Sequence, residues 1–315
     1  MTKKKYLGID LGGTFIKGGV VDEDGNILTN DKVPTESKKG AQQVARNIAT
    51  LCEKLLQSAN LKKDEIVGVG VGVPGTINPK GIVTYSNNLG WENFAVSESL
   101  EKAVGLPVRI ANDANVAALG ETKFGCGKDY ANTVLVTLGT GVGGGIVIDG
   151  VLFEGNQGAG AEIGHTVIMA GGEPCTCGRK GCWEAYASAT ALIRDTKRAM
   201  QNNPQSKMWE VGGLDKVDGK TSFDYAGVDE TAKQVVENYL YMLGVGLVNI
   251  ANEFRPEAII LGGGVCAQGD ALVKPLQAQM DREIYAGDKG PAVKIITATL
   301  GNSAGLLGAA ALWMK

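Results

Sequence analysis

The only histidine of the chain, His165, is followed closely by Cys175, Cys177 and Cys182. Three of the six cysteines thus fall in the eight-residue run Cys175-Thr-Cys-Gly-Arg-Lys-Gly-Cys182, where two glycines let the backbone turn. One imidazole and three thiols are a common structural zinc set, and four protein ligands leave no open position for catalysis. A redox or inert cysteine cluster is the alternative reading. A disulfide is not expected here if the chain works in the cytoplasm. Cys52, Cys126 and Cys266 are scattered and read as small core residues.

A second group of residues suits phosphate. Asp10-Leu-Gly-Gly-Thr14, with Lys17 close behind, sets a carboxylate beside two glycines and a hydroxyl. Bare backbone N–H groups and a threonine can cradle phosphate oxygens, and an aspartate can hold Mg²⁺, most easily through water. Gly139-Thr140-Gly141 can do the same elsewhere in the chain. Gly262-Gly263-Gly264 follows an apolar run, and its bare backbone could lie flat against an adenine or ribose. Two standard nucleotide loops fail on context. Gly139–Gly144 satisfies Gly-x-Gly-x-x-Gly but runs into a strand-like segment, whereas the dinucleotide fingerprint needs a helix. Gly219-Lys220-Thr221 mimics the end of a Walker A loop, but its first glycine position is Leu214. Asn112-Asp113 lies just after the apolar run Val108–Ala111, where Asn112 could cap a helix beginning at Ala114. Glu162 and Glu184 bracket the His/Cys cluster and could equally be surface charges.

These groups need a frame. Tyr6–Asp10 reads as a strand, Gly12-Gly13 as a turn and Phe15–Asp22 as the returning strand, with Asp24-Gly25 as the next hairpin turn. A helix is expected over 41–57, with Val44, Ile48, Leu51 and Leu55 on one face. Ile66–Val73 reads as a buried strand, Val96–Val104 as a helix and Val108–Ala111 as a strand. The second half opens in the same way, with Thr133–Leu138, a turn at Gly139–Gly145, and Ile146–Asp149. Gly12 and Gly139, Gly18 and Gly145, and Asp22 and Asp149 each stand 127 positions apart, which suggests a duplicated unit. Trp183–Asn202 reads as one helix, Asn203–Lys220 as a polar loop and 229–254 as a long helix ended by Pro256. Ala258–Leu261 is a strand and Ala304–Trp313 a last helix. Strands alternating with helices indicate α/β.

Composition excludes several function classes. With 44% hydrophobic residues, 21% charged residues and a net charge of -3, there is no electrostatic case for nucleic acid or membrane as partner. No stretch is long enough to span a bilayer, so a cytoplasmic location is expected. The 46 glycines gather in compact clusters rather than a linker, as a ligand wrapped by main chain would require.

Taken together, these residues resemble the actin-like ATPase and sugar-kinase fold, in which two hairpins clamp the phosphates of ATP between two domains. More specifically, the sequence resembles the ROK family of sugar kinases and repressors. The resemblance rests on Asp10–Lys17, Gly70–Gly75, Asn88–Trp91, Asn112–Asn115, Gly139–Gly145, Glu162–His165, Cys175–Glu184 and Gly262–Gly264, in order and almost end to end. It implies an α/β duplicated actin-like (ribonuclease H-like) fold of two domains with an interdomain cleft. The small domain would comprise 1–110 plus 302–315. The large one, 111–301, would carry the zinc site and the surface of a homodimer. It implies phosphorylation of a hexose by ATP with Mg²⁺, with Asp113 accepting the proton of the attacking sugar hydroxyl. The same resemblance implies that Gly75, Asn88, Asn112, Asp113, Glu162, His165 and Glu184 contact the sugar, His165 binding zinc through its other ring nitrogen. Asp10, Gly12, Gly13, Thr14, Lys17, Gly139, Thr140, Gly141, Gly262, Gly263 and Gly264 would take ATP, and His165, Cys175, Cys177 and Cys182 would hold the zinc.

The length and the Asn88-Leu-Gly-Trp91 and Cys-x-Cys forms look most like bacterial glucokinases. Glucose is therefore the first expectation, with N-acetylmannosamine, N-acetylglucosamine and fructose as alternatives and polyphosphate as a possible donor. A repressor would carry a helix-turn-helix domain ahead of the Asp10 motif; with that motif at residue 10 of this sequence, a kinase rather than a repressor is expected. A module that only binds sugar or ATP would not need Asp113 as a base.

Overall fold

The computed structural model describes residues 3–86 and 88–314. Its first strands and helices in chain order are β1 (Lys5–Leu11), β2 (Phe15–Asp22), β3 (Ile27–Pro34), α1 (Ala41–Ser58), β4 (Ile66–Val73), β5 (Thr76–Ile77) and β6 (Ile82–Ser86). Then come β7 (Trp91–Ala95), α2 (Val96–Val104), β8 (Val108–Asn112), α3 (Asp113–Phe124), β9 (Thr133–Leu138), β10 (Val142–Ile148) and β11 (Val151–Phe153). The remainder is α4 (Glu184–Ala187), α5 (Ala189–Asn202), α6 (Thr221–Tyr225), α7 (Glu230–Phe254), β12 (Ala258–Gly262), α8 (Asp270–Glu283), β13 (Lys294–Thr297) and α9 (Ala304–Ala311).

The repeat suspected from glycine spacing is present in the topology. One five-stranded sheet has the order β3-β2-β1-β4-β8 and the other β11-β10-β9-β12-β13, so β1 and β9 occupy equivalent places. In the first sheet β2 pairs antiparallel with both β1 and β3, while β4 and β8 run parallel to β1. The turn after Leu11 and the turn after Leu138 therefore leave equivalent strand ends.

The chain packs as two compact units. The first is Met1–Thr133, Gly145–Ala161 and Ala298–Lys315, and the second is Val134–Gly144 and Glu162–Thr297. The first unit thus holds 111–133, 145–161 and 298–301 in addition to the expected 1–110 and 302–315. The physical reason is the packing of α3 on α9. A β-carbon at Gly308 would lie 1.6 Å from the Val116 carbonyl oxygen, and one at Gly120 would lie 2.4 Å from that of Ala304, so the two helices meet backbone to backbone. The core of this unit lies between the first sheet and α1, where Leu7, Ile9, Ile16, Val20, Val69 and Val71 meet Val44, Ile48, Leu51 and Leu55. A small antiparallel sheet, β5-β6-β7, completes it.

In the second unit the helix expected over 183–202 is two helices. Ser188 is extended (φ -73°, ψ 160°), and its hydroxyl caps α5 by accepting from the Ala191 N–H at 3.0 Å. The stretch 203–220 is not a loose loop. Met208 and Val217 are buried with Met200 and Ala232, and the indole of Trp209 donates to Met200 and Asn203 carbonyls. The long helix forms as expected, with Asp229 accepting from the Thr231 N–H at 2.8 Å. Of the three scattered cysteines only Cys52 is fully buried; Cys126 and Cys266 are half-buried, a correction to their reading as core. Among the described residues no helix is long and apolar enough to cross a membrane.

Candidate active site

In the first unit, Asp10 stands near the end of β1 opposite Lys17 of β2, with Lys17 Nζ 3.9 Å from its carboxylate. The Gly12–Thr14 turn is closed by the Gly12 N–H donating to Phe15 O at 3.1 Å. Buried Thr35 clamps the turn from β3's end. Its hydroxyl donates to Gly12 O at 2.6 Å and its N–H to Thr14 O at 2.9 Å. The first turn of α9 abuts the carboxylate, since a β-carbon at Gly305 would lie 2.9 Å from Asp10 Cγ. Burial pushes the Asp10 pKa above the ordinary carboxylate range; Lys17 pulls it down and the charge of Asp113 pushes it up. Two carboxylates within electrostatic reach, one of them beside a phosphate-type turn, are a donor set that fits Mg²⁺ held through water.

Asp113 opens α3. Asp10 is in register with Gly72, Gly72 with Ala111, and Val73 with Asn112. These residues therefore gather at the carboxyl ends of parallel strands, where ligands of open α/β sheets bind. Asn112 caps α3, its side-chain oxygen accepting from the Ala114 and Asn115 N–H groups at 2.9 and 3.3 Å. Its amide nitrogen donates to Gly75 O at 3.1 Å. Gly75 has φ +125° and no room for a side chain, as a β-carbon would lie 2.4 Å from Tyr85 O. The Asp113 carboxylate accepts from the Ala114 N–H at 2.9 Å. Burial raises its pKa, an effect opposed by that backbone bond. Asn88 is exposed in the turn between β6 and β7. Near it, the buried polar atoms Ser86 Oγ and Trp91 Nε1 have no partner among the described residues.

In the second unit the Gly139–Gly141 turn is anchored by α5. The Ala189 N–H donates to Gly139 O at 2.9 Å and the Thr190 hydroxyl to Thr140 O at 2.8 Å. Gly263 packs against the end of β9, since a β-carbon there would lie 2.3 Å from Leu138 O. The two glycine loops are thus neighbours, and Gly264 faces open space. The ligand atoms of His165, Cys175, Cys177 and Cys182 lie within 4.8 Å of one another. Cys175 Sγ is 3.6 Å from His165 Nδ1, and Cys177 Sγ is 3.6 Å from Cys182 Sγ. Thiolates about 2.3 Å from a tetrahedral metal stand roughly 3.8 Å apart, so the set fits such an ion with little movement. Nδ1 faces the sulfurs, which leaves Nε2 for another partner. The isolated bridge between Val167 and Cys182, and the Trp183 N–H donating to Thr166 O at 2.8 Å, draw the histidine and cysteine segments together.

A model of the ROK family matches residues 6–315. This chain belongs to the ROK family. It is 39% identical to a glucokinase of Halalkalibacterium halodurans, over 98% of this chain and 94% of that protein. It is also 39% identical to a glucokinase of Streptomyces coelicolor, over 97% and 96% respectively. Among solved structures, a ROK family glucokinase from Streptomyces griseus, in complex with glucose and AMPPNP, superposes with a TM-score of 0.78 at 35% identity, covering 98% of each chain. The fold is accordingly the duplicated actin-like α/β fold of ROK sugar kinases.

Within each unit the expected ROK site residues collect at strand ends and turns. Asp10, Gly12–Thr14, Lys17, Gly75, Asn112 and Asp113 do so in the first, with Asn88 on an exposed turn. In the second, Gly139–Gly141, Glu184 and the cysteines are linked, while Glu162 is exposed just ahead of the Ile163–His165 turn. Sequence reading missed Thr35, Thr176 and Glu121. Glu121 is a buried carboxylate that accepts from Leu300 N at 2.8 Å and Thr299 N at 3.2 Å, tying α3 to the approach to α9. A glutamate directly after the buried Ala118-Leu119-Gly120 run is the signal that could have flagged it.

Proposed function

We propose that this chain is a glucokinase that transfers the γ-phosphoryl group of ATP to the 6-hydroxyl of glucose, with Asp113 as the base. The observation that carries the proposal is Asp113 itself, a half-buried carboxylate with a raised pKa, held by a capped helix start beside Asn112 and Gly75. Asp113 orients the hydroxyl and takes its proton late, as bonding to phosphorus makes it acidic, so a carboxylate suffices. Asn112 spends its oxygen on the cap and one N–H on Gly75, leaving its second N–H for a sugar hydroxyl. Glu162, His165 Nε2 and Glu184 supply the remaining polar contacts to the sugar. The Gly12–Thr14 and Gly139–Gly141 turns present N–H groups to ATP phosphates, and the Gly262–Gly264 loop lies along adenosine.

Asp10 would hold magnesium, most easily through water, and the ion when bound would supply neutralising charge to the phosphates. Zinc on His165, Cys175, Cys177 and Cys182 is structural in this reading, fixing the segments that carry Glu162 and Glu184. A cytoplasmic setting, where thiols stay reduced, and a homodimer through the second unit belong to the same proposal.

An ADP-release assay over a panel of hexoses tests the function. Glucose is expected to give the highest kcat/KM. A higher value for N-acetylmannosamine, N-acetylglucosamine or fructose would reassign the acceptor.

A further inference from the structure

Glu184 does more in this structure than line a sugar pocket. One carboxylate oxygen accepts from the Val142 N–H at 3.0 Å, next to the Gly139–Gly141 turn. The other accepts from the Thr176 hydroxyl at 3.2 Å and faces Cys175 Sγ at 3.7 Å, inside the cysteine cluster. Gly141 makes room for this, because a β-carbon there would lie 2.2 Å from the carboxylate. Glu184 is also rigidly based. Its neighbour Trp183 is fully buried, donates to Met242 O at 3.1 Å, and is pressed so closely on α7 that Gly246 admits no side chain. One carboxylate thus bridges the Cys175–Thr176 segment and Val142.

We infer that Glu184 is a positioning residue, a strut through which the metal cluster sets the shape of the Gly139–Gly141 phosphate turn, so that metal retention and nucleotide binding are coupled. The inference rests on the kinase reading above. When Cys175 ligates a metal its thiol proton is gone, and the Thr176 hydroxyl remains the donor on that side. Coupling between two sites is reciprocal: if the metal favours the nucleotide-binding shape of the turn, bound nucleotide must hold the metal more tightly.

The test is the zinc affinity of the protein, measured at equilibrium in competition with a chromogenic chelator, with and without saturating ADP. ADP binding is checked separately by calorimetry. Wild type is expected to hold zinc roughly five- to ten-fold more tightly with ADP. Glu184→Gln should keep the effect, since its amide oxygen can accept from Val142 and its amide nitrogen can donate to Thr176. Glu184→Ala should lose it. The inference is overturned if ADP binds wild type without raising its zinc affinity, or if ADP raises zinc affinity equally in Glu184→Ala. A residue with a merely structural role would lower the melting temperature in Glu184→Ala but leave the ADP effect in place. Failure of ADP to bind wild type at all would instead remove the kinase reading, and the strut with it.

Discussion

Asp113 is held where its charge is costly, and this fixes two opposite expectations. Its pKa is raised by burial, so its contribution to folding is full below the unfolded carboxylate range and is lost as pH rises through the raised value. Asp113→Asn removes the buried charge while keeping an oxygen for the Ala114 N–H. At neutral pH it should melt higher than wild type, the gain vanishing in acid, while kcat falls by roughly 10²–10⁴. Glucose affinity should hold, as calorimetry would show. Since the ionised form is the active one, wild-type turnover should fall with acid through an apparent pKa above the ordinary carboxylate range. Asp10→Ala should weaken catalysis and raise the magnesium concentration needed for half-maximal rate, with glucose binding nearly intact; an unchanged magnesium titration would leave Asp10 a strand-end residue only. At this scale the sequence was most legible where residue type and spacing alone define chemistry. His165 and its three cysteines come together as expected. Contacts made by distant segments were not legible. The hold of Thr35 on Gly12 and that of Glu121 on Leu300 depend on folds that bring positions 23 and 179 apart into contact.

Elements with a strong period were recovered from sequence, and those lost had physical reasons to hide. Both α1 and α7 form where apolar residues recur at helical spacing. The edge strand β3 carries Asn30-Asp31-Lys32 at its centre and exposes most of its residues, so it lacks strand-like alternation. Helix α8 contains Pro275, which reads as a breaker. The strands β5 to β7 are two to five residues long and draw stability from pairing rather than from an apolar run. The break at Ser188 was overlooked because a serine between alanines interrupts no hydrophobic pattern. Ser188→Ala should cost about 0.5–2 kcal/mol in denaturant melts through loss of the α5 cap. Gly308→Ala should cost more, on the order of 3 kcal/mol or a failure to fold, because its β-carbon would drive α9 off the Val116 carbonyl of α3. Stability unchanged in that variant would contradict the backbone-to-backbone packing of the two helices.

Across the molecule, one strand-turn-strand plan is used twice, and each copy has a glycine turn between its first two strands. The offset of glycines made this duplication visible in sequence, but the partition of 111–133 was not, because it depends on α3 packing against a helix at the far end of the chain. Cys177→Ser should lose the metal, lower the melting temperature and weaken glucose binding, since His165 and the neighbouring Glu162 would lose the metal's hold while Glu184 stays anchored beside buried Trp183. Metal analysis paired with glucose titration measures both. The central claim, that this ROK chain phosphorylates glucose from ATP using Asp113, is tested most directly by phosphorus NMR of the reaction of ATP with glucose, run with wild type and with Asp113→Asn. Wild type should yield glucose 6-phosphate and ADP in equal amounts, and the variant almost none over the same time. ATP hydrolysed to free phosphate without sugar phosphate, or equal yields from both proteins, would contradict it.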